Sequence, residues 1–274
     1  MRIFIMFMIV LGFVIAQDDY TDKMEKEHRN DKPIAAPIAK KDVKDVTAKD
    51  VVYATVAGKE VTGYIAHPKG TTQGLPAVIV IQEWWGLNDN IKTMARKIAS
   101  QGYVALAVDM YGGNTAETSK QALKLMKKAM GNQQQALDNL NQAHNYLKNN
   151  CKATKIGSIG WCFGGHWSLR CGLLFEAKID AVVIYYGRLV NDKEQLAKLS
   201  APVLGIFGQL DRGIPVESVN TFHEALKSLN KNADINIYPK ANHAFANPSG
   251  TRYNKEAAEN AWEKTMAFFA KHLK

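Results

Sequence analysis

From residue 77 onward the chain alternates two hydrophobic rhythms. Continuous apolar stretches cover Ala77–Ile81, Tyr103–Val108, Lys155–Gly160, Ala181–Tyr185 and Val203–Phe207, followed by an alternating stretch over Ile235–Tyr238. These predict buried strands. Between and after them, helical periods run over Ile91–Ser100, Lys120–Met130, Gln133–Asn149, Trp167–Phe175, Val216–Leu229 and Glu256–His272. Buried strands alternating with helices predict an α/β fold whose mostly parallel sheet is covered on both faces. Ahead of these, the extended runs Val51–Val56 and Glu60–Ala66, joined through Ala57-Gly58-Lys59, predict a hairpin that adds antiparallel edge strands.

The single domain is therefore expected over residues 51–274. Residues 17–50 are charged, poor in aromatics and interrupted by Pro33 and Pro37, so they read as a poorly ordered leader. Before them, Arg2, the apolar run Ile3–Ile15 and Ala16, with Val14 two positions earlier, have the three parts of a secretory signal cleaved near Ala16. The run is shorter than a bilayer span of about 18 to 20 apolar residues, although an uncleaved anchor is the alternative. An exported location, with no stable membrane span after cleavage, follows as an expectation.

The 274 residues carry a formal charge of +9. Lys120, Lys124, Lys127 and Lys128 lie along one helical period without interleaved aromatics, which is the pattern of a solvated face and not of a nucleic-acid surface. A monomer is expected. Three cysteines in an exported chain leave one free. Cys151 and Cys171 could meet at the bottom of the domain, or both could stay buried and reduced. There is no HExxH, no clustered His and Cys at ligand spacing and no GxxxxGK, so neither a metal nor a nucleotide cofactor is implied.

In such a sheet, ligands bind beyond the carboxyl ends of the strands. After the stretch Lys155–Gly160 comes Gly160-Trp161-Cys162-Phe163-Gly164-Gly165, a nucleophile-elbow pattern with cysteine in place of the commoner serine. Bulk at Gly160 or Gly164 would collide with the backbone crossing there, and a helix start favours the thiolate form. Asp211 follows Val203–Phe207 through Gly208-Gln209-Leu210, and His243 follows the last strand. Each alone has a plainer reading, as a turn residue or loop histidine. In the order nucleophile, acid, histidine, however, they match the triad of the α/β-hydrolase fold. The remaining histidines, such as His144, His166, His223 and His272, sit on or beside helices and read as surface or packing residues.

Glu83 follows Ala77–Ile81 directly, beside Trp84-Trp85-Gly86, and is either a desolvated acid with a function or a turn anchor. The amides of Trp84 and Phe163 face the same point in this fold and are the expected oxyanion donors. Trp85, Tyr111, Trp161 and Phe245 are candidates to line a substrate pocket, with plain aromatic packing as the alternative.

These pieces resemble the dienelactone hydrolase family from about Val51 to the C-terminus. They are Gln82-Glu83-Trp84-Trp85-Gly86, Asp109-Met110-Tyr111-Gly112, Gly157-Ser158-Ile159-Gly160-Trp161-Cys162-Phe163-Gly164-Gly165, Gly208-Gln209-Leu210-Asp211 and His243-Ala244-Phe245 with Ala261-Trp262. The resemblance implies a cofactor-independent cysteine hydrolase of small-molecule esters or lactones. Its triad falls on Cys162, Asp211 and His243, and Glu83 takes the role of helping to generate thiolate. Members of that family hold a substrate carboxylate with arginines, but the matching places here read Gly112-Gly113 and Ala246-Asn247-Pro248. Arg252 is the remaining candidate cation, unless it faces solvent. An exported binding protein on the same scaffold, or a thiol redox protein using Cys162, are the competing readings.

Overall fold

The computed structural model of the protein describes residues 21–29, 31, 33, 43, 45–175 and 178–274. The expected signal lies outside the described residues. Within the expected leader, however, residues 21–28 form a helix, α1, with Thr21, Met24 and His28 buried on one face. A single apolar residue in that face gives no hydrophobic period to read.

The hairpin pairs β1 (Val46–Val56) with β2 (Lys59–Pro68). Ala57 and Gly58 at its tip have φ of 49° and 75°, the left-handed pair that matches strand twist. β1 starts at Val46, ahead of the expected Val51. Its first residues alternate partly buried and exposed positions, and the exposed Lys49 and Asp50 of this sheet edge hid the strand character.

The later strands are β3 (Ala77–Ile81), β4 (Val104–Val108), β5 (Ile156–Trp161), β6 (Ala181–Tyr185), β7 (Val203–Gly208) and β8 (Ala233–Tyr238). The sheet order is β1-β2-β4-β3-β5-β6-β7-β8, parallel from β4 through β8 and antiparallel at the hairpin end. The helices are α2 (Asp89–Ala99), α3 (Ser119–Gly131), α4 (Gln133–Asn149), α5 (Phe163–Leu174), the short α6 (Lys193–Ala197), α7 (Val216–Ser228) and α8 (Lys255–Leu273). Both faces of the sheet are covered. On β5, Ser158 reaches Ser168 of α5 at 2.8 Å, while its neighbour Gly157 faces Phe269 and Leu273 of α8. Adjacent strand residues point to opposite faces, so α5 and α8 lie on opposite sides.

From β3 the chain steps to β4 on one side and returns to β5 on the other. This reversal opens a crevice beyond the carboxyl ends of β3 and β5, where a ligand site is expected. All three cysteines are free and buried. Among the described residues no helix is long and apolar enough to cross a membrane.

Candidate active site

Cys162 stands between the last residue of β5 and the first of α5, with φ 55° and ψ −113°. A non-glycine residue at positive φ is strained. The surroundings enforce it. The Cys162 amide donates to the Tyr185 carbonyl at 3.0 Å, and the His166 amide donates to the Cys162 carbonyl at 3.2 Å. A Cβ on Gly160 would stand 2.1 Å from the Gly164 carbonyl oxygen, and one on Gly164 would stand 2.3 Å from that of Ile81. The two glycines therefore let α5 start hard against β3 and β5.

His243, in the loop after β8, presents Nδ1 to Asp211 Oδ2 at 2.7 Å. The other carboxylate oxygen, Oδ1, accepts the amides of Gly213 and Ile214, both at 2.8 Å, which fixes the acid. With Nδ1–H donated to Asp211, Nε2 is the basic nitrogen, and it has no hydrogen-bond partner among the described residues. Burial opposes charging the ring, yet Asp211 and the adjacent Cys162 outweigh it and hold the imidazole well above its ordinary pKa. Sulfur, imidazole and carboxylate thus meet at the rim where β5, β7 and β8 end.

Glu83 closes the opposite wall. Its turn is fastened by the Gly86 amide on the Glu83 carbonyl at 3.3 Å and the Ala116 amide on the Trp85 carbonyl at 2.9 Å. Its Oε2 accepts from Asn247 Nδ2 at 2.5 Å, and the Tyr186 hydroxyl donates to Oε1 at 3.5 Å. Asn247 Oδ1 accepts from Asn90 Nδ2, the Ser249 amide and the Ser249 hydroxyl, so its amide group must turn its NH2 towards Glu83. Burial raises the carboxyl to about 7, against the lowering effects of His243, Asn247 and Tyr186.

The cavity enclosed by these groups is small, about 20 Å³, with walls that include Cys162, His243, Glu83, Trp84, Trp85 and Arg252. His28 and Asp31 from the N-terminal segment complete it. The His28 ring meets His243 edge-on at 4.8 Å and Trp84 at 5.2 Å. Among the described residues no group of His, Cys, Asp and Glu side chains is arranged to hold a metal ion.

The model of the dienelactone hydrolase family matches residues 61–273. The chain belongs to that family. A Yersinia pestis protein named "Putative carboxymethylenebutenolidase" is 32% identical over 231 residues, covering 78% of this chain and 85% of that protein. A Klebsiella pneumoniae crystal structure, described as a "Putative Dienelactone Hydrolase", superposes with a TM-score of 0.74 at 28% identity, over 83% of this chain and 99% of that one. The fold is shared with a dienelactone hydrolase-like promiscuous phosphotriesterase from metagenomic libraries, at a TM-score of 0.76 and 22% identity, covering 84% of this chain and all of that one.

In this dienelactone hydrolase family member, Phe163 is the first residue of α5, so its amide has no acceptor within the helix, and Trp84 lies across the cavity in the turn after β3. Three of the expected pocket aromatics do not line the cavity. Trp161 packs on Tyr185 at 5.5 Å, Phe245 lies between Tyr186 and Tyr238, and Tyr111 packs on Phe163 at 5.4 Å. Trp161 and Tyr111 adjoin motif residues but their rings are buried in the core, as is Phe245. Arg252 does reach the cavity, where the N-terminal segment engages it, while about 20% of its side chain stays exposed on the outer side. Sequence reasoning missed Tyr186, His28 and the role of Asn247. Tyr186 directly follows an apolar strand and has φ 36°, a strain with no signature in residue type.

Proposed function

We propose that this chain hydrolyses small-molecule esters or lactones, without a cofactor, through an acyl-enzyme on Cys162. The observation that carries this reading is the buried Asp211–His243 pair, whose free Nε2 faces the strained nucleophile elbow. His243 takes the thiol proton and the thiolate attacks the carbonyl carbon. The amides of Trp84 and Phe163 receive the developing oxyanion. As the carbon–oxygen bond breaks, His243 returns the proton to the departing alkoxide. Water then attacks the thioester with His243 as base, releasing the acid and the thiol. Glu83, held near neutrality by burial, is suited to take or give a proton beside the sulfur.

The N-terminal signal pattern supports an exported location after cleavage near Ala16, and the chain is read as a monomer. A chromogenic ester such as p-nitrophenyl acetate, alongside simple lactones, tests the chemistry. Cys162→Ala should lose at least ~10³-fold of the turnover. Parental turnover by that variant would overturn the assignment.

A further inference from the structure

The segment that carries α1 is not needed to build the sheet, yet it stands over the catalytic groups. We propose that α1, with Asp31 beyond it, is an intramolecular plug of the active site, with His28 standing where the substrate's acyl group must stand and Arg252 as its latch. The proposal rests on the hydrolase reading for the identity of what is excluded.

The face of α1 turned to the protein is Thr21, Met24 and His28, whereas Asp22, Lys23, Glu25 and Lys26 are exposed. Met24 anchors the helix beside Gly213, on the loop that holds Asp211. His28 then covers His243 and Trp84, the very groups that must meet a scissile carbonyl. With the segment docked, His243 is 0% exposed and Cys162 3%. The remaining cavity of about 20 Å³ has room for about one water, whereas small-molecule sites span roughly 300–1,000 Å³. No ester reaches the sulfur until the segment moves.

The attachment is mostly polar, which suits release. Arg252 Nη1 lies 2.9 Å from His28 Nδ1 and 3.5 Å from Asp31 Oδ2, and Nη2 donates to the Glu27 carbonyl. His28 Nδ1 is also 2.6 Å from Asp31 Oδ2. The Ser119 hydroxyl lies within hydrogen-bond distance of the carbonyls of His28 and Asp31, at 2.7 and 2.8 Å. Outside the latch is an open hollow of about 740 Å³, walled by Glu27, Arg212, Asn242 and the same Arg252. Release of α1 would join that hollow to the enclosed cavity and give substrate its path.

The test uses the full chain and two readouts, the rate of Cys162 alkylation by iodoacetamide, mapped by peptide mass, and kcat/KM for p-nitrophenyl acetate. Met24→Asp sets a charge into the docking face, and Ser119→Ala, a milder change, removes the hydroxyl from the latch. Both rates should rise, at least tenfold in Met24→Asp and less in Ser119→Ala. Equal alkylation rates in the parent and both variants would overturn the plug and leave hydrolysis standing. Faster alkylation with slower hydrolysis in both would also overturn it, making α1 part of the working site. Faster alkylation with no hydrolysis in any form would keep the plug and remove the hydrolase reading.

Discussion

At Cys162 the backbone holds a conformation costing on the order of 1–3 kcal/mol, and the surrounding hydrogen bonds hold it there. The proposed partners of Cys162 are held as firmly: both oxygens of Asp211 are engaged, one by His243 and one by two amides. Asp211→Asn should therefore keep the fold but lower kcat by on the order of 10³ to 10⁴, because the amide favours the wrong imidazole tautomer. Steady-state kinetics with thermal melting checks both halves. Asn247 donates to the ionised form of Glu83, so Asn247→Leu should move any acidic limb near pH 7 in the kcat/KM profile to higher pH. Glu83 also has a stability consequence. Its folded pKa of about 7 lies above the ordinary 4.5, so between those values the folded state holds the proton more tightly and stability falls as pH rises. Urea unfolding of Glu83→Gln should show a gain of roughly 3 kcal/mol over the parent at pH 8, and little difference at pH 4. The placement of Cys162, Asp211, His243 and Glu83 around one cavity was legible because each comes soon after a strand. Asn247, Tyr186 and His28 were not, since their roles come from hydrogen bonds and ring contacts between distant segments.

Among the elements, α5 illustrates what a periodicity can hide. The period suggested a start at Trp167, but the helix begins at Phe163 and is buried at every position except Gly172 and Leu174. A helix buried all round has no polar face, and its first turn contains glycines placed for close approach. Gly164→Ala would force a methyl into the Ile81 and Gln82 carbonyls and should cost about 3 kcal/mol or more in urea unfolding. Gly131→Ala, with open space at the end of α3, should instead be neutral or stabilising by about 0.5 kcal/mol. The docking of α1 carries its own pH dependence. Burial, opposed by Asp31 and aided by His243 and Arg252, lowers His28 from 6.5 to about 4. Protons then bind the released segment more tightly, so release should grow by up to roughly tenfold per unit as pH falls from 6.5 towards 4. Hydrogen exchange of the amides in 21–31, corrected for intrinsic rates, measures this. The hairpin and the buried strands were legible to within a few residues, whereas α1 was not, because one methionine and one histidine among charges make no pattern.

For the molecule as a whole, the alternation of strands and helices was enough to predict a mostly parallel sheet, but not the order of its strands. That order depends on the step from β3 outward to β4 and back to β5, which leaves no mark in hydrophobicity. The rim of the site was readable nonetheless, because in a parallel sheet the groups that follow β3, β5, β7 and β8 all lie at one edge, whereas their convergence on one cavity comes from the strand order. Closure by the N-terminal segment is a property of the whole chain, joining residue 28 to residues 119, 243 and 252. The most direct test of the account is to quench p-nitrophenyl acetate turnover with acid during the first turnovers and map the acetyl group by peptide mass. One acetyl group is expected, on the peptide containing Cys162 and absent from Cys162→Ala. Turnover with that thiol unmodified throughout, or acetyl carried on another residue in productive cycles, would contradict it.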